Sequence, residues 1–419
     1  MAAIRDIVAR SIGFIRRQTR NFKVMLVRRS LHGIASSLST QYNSIYATAL
    51  GADPVQLGSL QSVGNAIGAV VSLPAGWLID NYSMKKVFLL GTVLLGASAA
   101  LYMGASHWTY LYAAIILYYV GMRITCVSCT VTCATELTND GRATGRGLCR
   151  TISSVLALAT PMLAAWIVSL SGGISVAGIR PVYGVQIVLF VVILGLLIKW
   201  LRDPALVTGA HSSRPRLSDF SEVFKQSPDV IRIMLMMALM EIPWSMAQPF
   251  MPLFAHQEKF ANEFVLGAIA TGMSVLPILV SIPLGRLADR YGRKKLLFAM
   301  SPVVYLGYLS LIFANGNTML VLAGVFFGFT SISMAIASAM TAEVMPRGQM
   351  GRWIGIVSLI RGLFSIPAPL LGGLIWDHIG PQYVFVAAIA IDLCLRLPLL
   401  ASVRETLHLD VDEPDQLDQ

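Results

Sequence analysis

Six ionisable side chains stand inside long apolar stretches of this 419-residue chain: His32, Arg123, Glu241, Arg361, Asp392 and Arg396. A charge at the centre of a bilayer costs about 2.5–3.5 kcal/mol, so each asks for a reason. Glu241 is the residue best suited to carry a proton, because desolvation favours its neutral acid while a neighbouring arginine favours its carboxylate. Arg123 and Arg361 present guanidinium forks that suit a carboxylate or phosphate. Two readings of them stay open: they converge on one anionic group, or they pair with an internal acid, Glu241 first. Two arginines against one glutamate leave surplus positive charge, which leans toward an anionic or zwitterionic solute. His32 titrates easily, although a lone His is more often a hydrogen-bonded structural residue. Asp392 and Arg396 lie four apart, one helical turn, and suit a structural ion pair.

Composition sets the frame for those residues. Apolar types make up 55% of the chain and charged types 13%, a balance far from that of a soluble domain of this length. The charges sit in short clusters between apolar runs of roughly 20 residues, the length that crosses a bilayer as a helix. Twelve such runs are expected, at about 28–50, 55–79, 87–106, 108–135, 147–170, 181–201, 230–254, 263–287, 296–314, 318–342, 352–376 and 383–403. Helices are the economical reading, since lipid offers no partner for backbone groups. The expected class is an all-α integral membrane protein with twelve transmembrane helices in two six-helix bundles.

The net charge of +10 raises the question of nucleic acid, and its placement answers it. Arg5, Arg10, Arg16, Arg17, Arg20, Lys23, Arg28 and Arg29 crowd the start of the chain, and further Lys and Arg fall in the loops on that same side. The opposite side holds only Arg180 and Lys259. This is the asymmetry of the positive-inside rule, and it places both termini in the cytoplasm of a multi-pass cell-membrane protein. The domain boundaries follow: a basic cytoplasmic arm at 1–27, a first bundle at 28–201, a linker at 202–229, a second bundle at 230–403 and an acidic cytoplasmic tail at 404–419. The arm lacks the apolar core and cleavage site of a signal peptide; it suits a helix on an anionic leaflet or a basic tail. Leu217 to Gln226 suit a brief interfacial helix within the linker.

Polar residues recur at helical spacing in four of the runs. His32, Ser36, Ser39, Asn43 and Tyr46 share a face of the first helix, and Tyr119, Arg123, Cys126 and Thr130 a face of the fourth. Glu241, Trp244, Ser245 and Gln248 do so in the seventh, and Ser358, Arg361 and Ser365 in the eleventh. A single stripe of this kind usually serves helix–helix hydrogen bonding; four together suggest a wet lining. Cys126, Cys129 and Cys133 lack the further ligands of a metal site and read as small packing residues, so no metal is expected. Met234, Met236, Met237 and Met240 read as packing or lipid-facing groups, with a soft drug-binding wall as the lesser option.

The chain also repeats itself. Pro74-Ala-Gly76-Trp-Leu78-Ile-Asp80-Asn-Tyr82-Ser-Met-Lys85-Lys86 returns, shifted by 209 (80 to 289), as Pro283-Leu-Gly285-Arg-Leu287-Ala-Asp289-Arg-Tyr291-Gly-Arg-Lys294-Lys295. Glu136 and Arg146 have counterparts in Glu343 and Arg352. Duplicated bundles are a common plan for secondary transporters. The Gly-x-Leu-x-Asp-Arg-x-Gly-Arg-Lys pattern resembles the signature loop of the major facilitator superfamily, over all twelve helices. The second copy matches throughout, through Gly285, Asp289, Arg290, Gly292, Arg293 and Lys294; the first departs at Asn81, Ser83 and Met84. Glu136, Arg146, Glu343 and Arg352 look like the charged partners that the family places at neighbouring cytoplasmic helix ends. Gly76 and Gly285 allow close helix approach, and Lys85 and Lys86 complete the first loop. Asp80 and Asp289 can meet a helix N-terminus. The loop thus reads as a conformational latch, the alternative being a topology signal alone.

The resemblance implies that the first and fourth helices of each half line a central cavity, and that the twelfth is peripheral. By that rule His32, Ser36, Asn43, Arg123, Thr130, Glu241, Trp244, Gln248, Ser358 and Arg361 line the substrate path, with Glu241 coupling protons. The expected function is secondary active transport of a small organic solute by alternating access, proton-coupled, by a monomer among membrane lipids and with no cofactor. The alternatives are a proton-driven exporter of lipophilic drugs and a non-transporting membrane sensor. Thr160-Pro161 and Ala368-Pro369-Leu-Leu-Gly372-Gly373 only partly match the glycine–proline run of family exporters, and the sugar-porter signature is missing. Enzymatic activity is not expected, as no nucleophile–base pair, metal cluster or nucleotide-binding Gly-x-x-x-x-Gly-Lys-Ser/Thr loop is present.

Overall fold

The computed structural model describes residues 13–136, 142–202, 228–344 and 350–405. The first twelve residues, most of the linker with its expected interfacial helix, and the acidic tail from residue 406 lie outside the described residues. The described chain is helical throughout, with no strand. Its helices are α1 (Arg20–Ser39), α2 (Asn43–Ala49), α3 (Pro54–Asn81), α4 (Met84–Gly104), α5 (Tyr110–Glu136), α6 (Arg142–Ala157), α7 (Thr160–Leu170) and α8 (Val176–Trp200). There follow α9 (Pro228–Ala247), α10 (Phe250–Gln257), α11 (Glu263–Tyr291), α12 (Arg293–Ile312), α13 (Asn317–Val344), α14 (Met350–Ser365), α15 (Pro367–His378), α16 (Pro381–Ile391) and α17 (Leu397–Ser402). A π-helical turn, Asp392–Arg396, joins the last two.

Among the described residues, eight helical stretches are long and apolar enough to cross a membrane. Several expected spans are helices broken in two. The breaks fall at Pro161, Pro249 and Pro367, each within the first residues of a new helix or just before it. Proline lacks the N–H that would continue the ladder and crowds the carbonyl one turn back. The first span breaks at Thr40–Tyr42, where the Thr40 hydroxyl donates to the Ser36 carbonyl at 2.7 Å. The polar stripe expected along one helix is therefore divided between α1 and α2. Ser39 and Tyr46, two of its members, are buried.

The chain forms two compact units, Met1–Thr40 with Val71–His211, and Gln41–Val70 with Ser212–Gln419. The first packs around Met25, Phe88, Leu95, Phe190, Ile193 and Leu197, from α1, α4 and α8. Burial of Met25 and Phe88 is complete. The second unit packs around Met234, Met236, Met237, Leu297, Met300, Ile336 and Met340. The methionines of α9 are thus mostly interior, where an unbranched side chain fills irregular gaps. In lipid, such contacts hold helices together through van der Waals fit rather than through exclusion of water.

Residues 41–70 pack within the second unit for a visible reason. A Cβ at Gly58 would strike the Pro369 carbonyl, so the α3 backbone lies directly on α15. Asn65 Nδ2 then donates to Ser245 Oγ at 2.9 Å and to the Ser365 carbonyl at 2.8 Å. Ser245 Oγ reaches the same carbonyl at 3.2 Å. That carbonyl is free because Pro367 and Pro369 interrupt the helix beyond it. One amide therefore ties α3 to α9 and α14.

Candidate functional site

The second unit holds a cavity of about 200 Å³ between α9, α12, α13 and the π turn. Its wall combines apolar and aromatic groups, Met240, Trp244, Val304, Tyr305, Tyr308 and Met334, with Glu241, Asp392 and Arg396. Ser301, Thr330, Ser331 and Ser333 add hydroxyls, so polar groups share the wall with apolar ones, and polar groups placed against apolar surface are what orients a small molecule in its site.

Glu241 sits on α9 and meets Arg361 of α14. Arg361 Nε donates to Glu241 Oε1 at 2.8 Å, and Nη2 donates to the same oxygen. Oε2 makes no hydrogen bond among the described residues. The side chains are 25% and 17% exposed for Arg361 and Glu241, so the pair is partly open. Arg361 Nη2 also lies 4.0 Å from Met334 Sδ, another wall residue. Of the two readings for Arg361, the structure shows the pairing with Glu241.

The second acid is more tightly held. Asp392 accepts from Arg396 Nε, from Arg396 Nη2 at 2.7 Å and from the Tyr305 hydroxyl. Arg396 Nη2 donates onward to Ser301 Oγ at 2.5 Å. This network is nearly closed to solvent, at 5% and 12% exposure for the Arg396 and Asp392 side chains. The i,i+4 pair expected from spacing is present. Within the second unit both residues line the cavity beside Glu241. The chain takes a wider π turn from Asp392 to Arg396, a form that single turns adopt at functional positions.

The remaining expected residues distribute as follows. Trp244 lines the cavity; Gln248, just beyond α9, is half-buried, and Ser358 is exposed. Ser245 joins the Asn65 knot instead. Asn43 begins α2 within the second unit. His32, Ser36 and Arg123 belong to the first unit. There the Ser36 hydroxyl lies 3.5 Å from His32 Nε2, and the His32 ring packs at 6.1 Å from Phe190. Arg123 is half-buried and has no ion-pair partner among the described residues. The Thr130 side chain lies outside those described, as do the surroundings of Gly76 and the side chains of Asp80, Glu136, Arg146 and Arg352. Cys126 is exposed, while Cys129 and Cys133 also lie outside the described side chains.

The second signature loop is a charged joint. Arg293 Nη2 lies 2.7 Å from Glu343 Oε1 and 3.5 Å from Asp289 Oδ1. Asp289 is itself largely exposed. Lys294 Nζ donates to the carbonyls of Ala401 and Val403 at 2.7 and 2.6 Å. Glu405 Oε1 accepts from the backbone N–H groups of Arg293 and Lys294 at 2.9 and 3.3 Å, capping the positive end of α12. Gly292 makes room for that cap: its φ is +101° and a Cβ would strike the Glu405 carboxylate. Gly285 is half-buried with open space around it, and Arg290 stacks on Tyr291 at 5.7 Å.

The first loop departs from that pattern for a physical reason. Ser83 stands where the second copy has Gly292, with φ −54°, and its own hydroxyl accepts from Lys86 N at 3.5 Å. A serine at the N-cap needs neither a left-handed backbone nor a borrowed carboxylate. Lys85 Nζ donates to the Ile198 carbonyl at 2.8 Å, and Lys86 is exposed.

Sequence reasoning missed Tyr305 and Asn65. Ser301, Tyr305 and Tyr308 lie four and three apart on α12, the same helical spacing that marked the other polar stripes. Asn65 has no comparable signal, since a lone amide on a helix resembles ordinary interhelical glue.

The family model for the Major Facilitator Superfamily matches residues 29–261 and 233–408. Tetracycline resistance protein, class H, of Pasteurella multocida is 27% identical over 175 residues, 41% of this chain and 43% of that protein. A multi-drug resistance efflux pump PmrA homolog of Lactococcus lactis is 30% identical over 152 residues, 34% of this chain and 36% of the other. The matched stretch thus spans less than half the length of these curated relatives. The crystal structure of the nucleoside transporter NupG superimposes with a TM-score of 0.71 at 16% identity, covering 91% of this chain and 99% of that one, a likeness of fold. The chain belongs to the Major Facilitator Superfamily and is a multi-pass membrane protein.

Proposed function

We propose that this transporter is a proton-coupled exporter of a small amphipathic organic solute, with Glu241 as the proton carrier. The observation that carries the proposal is the contrast between the two acids of one cavity. Asp392 spends both oxygens on fixed donors, whereas Glu241 shares one oxygen with Arg361 and keeps the other uncommitted. A guanidinium favours the ionised carboxylate, and an apolar wall favours the neutral acid. A motion that separates Arg361 from Glu241 therefore invites a proton, and its reversal expels it. Alternating access to the two sides of the membrane, with both termini in the cytoplasm and the protein in the plasma membrane, turns that exchange into transport.

Three supports favour an amphipathic solute over an organic anion. Arg361 is engaged by Glu241, the cavity wall sets the aromatic and thioether groups of Trp244, Tyr305, Tyr308, Met240 and Met334 beside hydroxyl and charged ones, and relatives are named for tetracycline resistance and multidrug efflux. The anionic reading now rests on Arg123 alone.

The test is a proteoliposome carrying the full chain, with tetracycline as the probe and its fluorescence as the signal. A pH gradient of the right sign is expected to drive tetracycline accumulation that collapses when the gradient is dissipated. Equal movement with and without the gradient contradicts the proposal.

A further inference from the structure

The first unit gathers basic side chains where α4 begins and α8 ends, two helices long and apolar enough to cross a membrane. We infer that this end of the unit seats an anionic phospholipid, with Lys86, Lys199 and Arg202 around its phosphate and an acyl chain along α8. The inference is independent of Glu241 and of the cavity in the second unit.

Three helix ends are tied together there. Lys85 Nζ, at the start of α4, donates to the Ile198 carbonyl at 2.8 Å. Arg20 Nη2, at the start of α1, donates to the Lys199 carbonyl at 3.4 Å, and Asn21 Oδ1 accepts from the Arg202 N–H at 3.1 Å. Cations at a helix C-terminus satisfy its last carbonyls, so Arg20 and Lys85 are used in closing α8. The same ties bring Lys86, Lys199 and Arg202 to one end of the unit, exposed and with no ion pair among the described residues. The described side chains of this unit include no carboxylate, so the counter-charge must come from elsewhere.

An amphiphile fits this end better than a free anion, because the charge stands over an apolar stripe. Val188, Val191, Val192 and Ile198 are between 49% and 61% exposed. At helical spacing they share one face of α8, and Lys199 continues it. Trp200 is 43% exposed, with the Lys199 ammonium 4.9 Å from its ring. Indole and lysine stems suit the level where hydrocarbon gives way to headgroups. A lipid tail covers the stripe, and the phosphate of the same lipid reaches the cations at its end. Arg202 offers a fork to that phosphate and the lysines offer point charges.

The experiment is native mass spectrometry of the full chain in neutral detergent, titrated with dioctanoyl phosphatidylglycerol or dioctanoyl phosphatidylcholine. Phosphatidylglycerol is expected to be retained about fivefold or more over phosphatidylcholine. Lys86→Gln and Arg202→Gln are each expected to lower phosphatidylglycerol affinity about fivefold, the worth of one basic group near an anionic lipid. Both side chains are exposed and cap no helix among the described residues, so both variants are expected to unfold at the wild-type temperature. Arg286→Gln/Lys295→Gln removes two exposed charges from the second unit and is expected to leave the affinity unchanged. Equal retention of the two lipids, unchanged affinity in both single variants, or an equal loss in the second-unit variant overturns the inference. Displacement of the lipid by inorganic phosphate at the lipid's own concentration overturns it too, since that marks a free-anion site.

Discussion

Arg361 closes on a single oxygen of Glu241, through Nε at 2.8 Å and through Nη2. A fork that engages one oxygen gives up the second contact of a bidentate pair, the arrangement in which such pairs are strongest. The bond is therefore suited to being broken and remade. Partial exposure of both side chains points the same way.

Removing one partner tests whether this pair also holds the fold. Arg361→Met is expected to destabilise the protein by about 1–3 kcal/mol, the cost of leaving a desolvated acid without its donors. The double variant Glu241→Gln/Arg361→Met should recover part of that loss, because neither charge then remains alone. Thermal unfolding of the four proteins of the cycle measures the coupling. Strict additivity would show that the pair contributes nothing.

The Asp392–Arg396 pair should behave differently. Asp392→Asn leaves a buried guanidinium without its counter-charge, and about 3–5 kcal/mol of destabilisation is expected. Ser301→Ala removes only one acceptor of Arg396 and should cost about 1 kcal/mol. The ranking is checked by unfolding in detergent. A milder effect for Asp392→Asn than for Ser301→Ala would contradict a network centred on the Asp392–Arg396 pair.

The two signature loops yield opposite expectations for their equivalent residues. Gly292→Ala forces a side chain into a left-handed conformation and against Glu405, so a loss of about 1 kcal/mol or more is expected. Ser83→Gly removes a cap but keeps an allowed backbone, and should cost only about a few tenths of a kcal/mol. Matched unfolding curves of both variants decide between this account and one in which the loops are interchangeable.

Asn65→Ala frees the Ser365 carbonyl from one donor and leaves Ser245 as the other. A loss of about 1–2 kcal/mol is expected. Asn65→Asp, which keeps size but turns the donor into an acceptor facing a carbonyl, should be worse. Hydrogen–deuterium exchange across 360–370 measures whether the α14–α15 break loosens.

Much of the fold was legible because a bilayer imposes its thickness on the chain, so charge depletion over about 20 residues reads directly as a span. Repetition around Asp80 and Asp289 made the duplication visible in the same way. Helix breaks were less so: Pro161 and Pro367 are readable, but the break at Thr40–Tyr42 contains no proline. The site was partly legible. Glu241 and Arg361 drew attention because charges in lipid are rare, yet spacing alone left open whether Arg361 bound solute or Glu241. Asp392 and Arg396 announced their pairing through i,i+4 spacing, but not that they share a cavity with Glu241, since that proximity is set between helices far apart in the sequence. Tyr305 and Asn65 are neutral, common in membrane helices, and acquire meaning only when Asp392 and Ser365 are placed beside them.

The most direct test concerns Glu241 itself. In proteoliposomes, Glu241→Gln should bind tetracycline and exchange it across the membrane at equal pH, while gradient-driven accumulation falls to background. Amide for carboxylate keeps the shape and removes the titrating group, which isolates proton coupling from binding. Accumulation that remains as strong as in wild type, with the same dependence on the gradient, would show that the proton travels elsewhere.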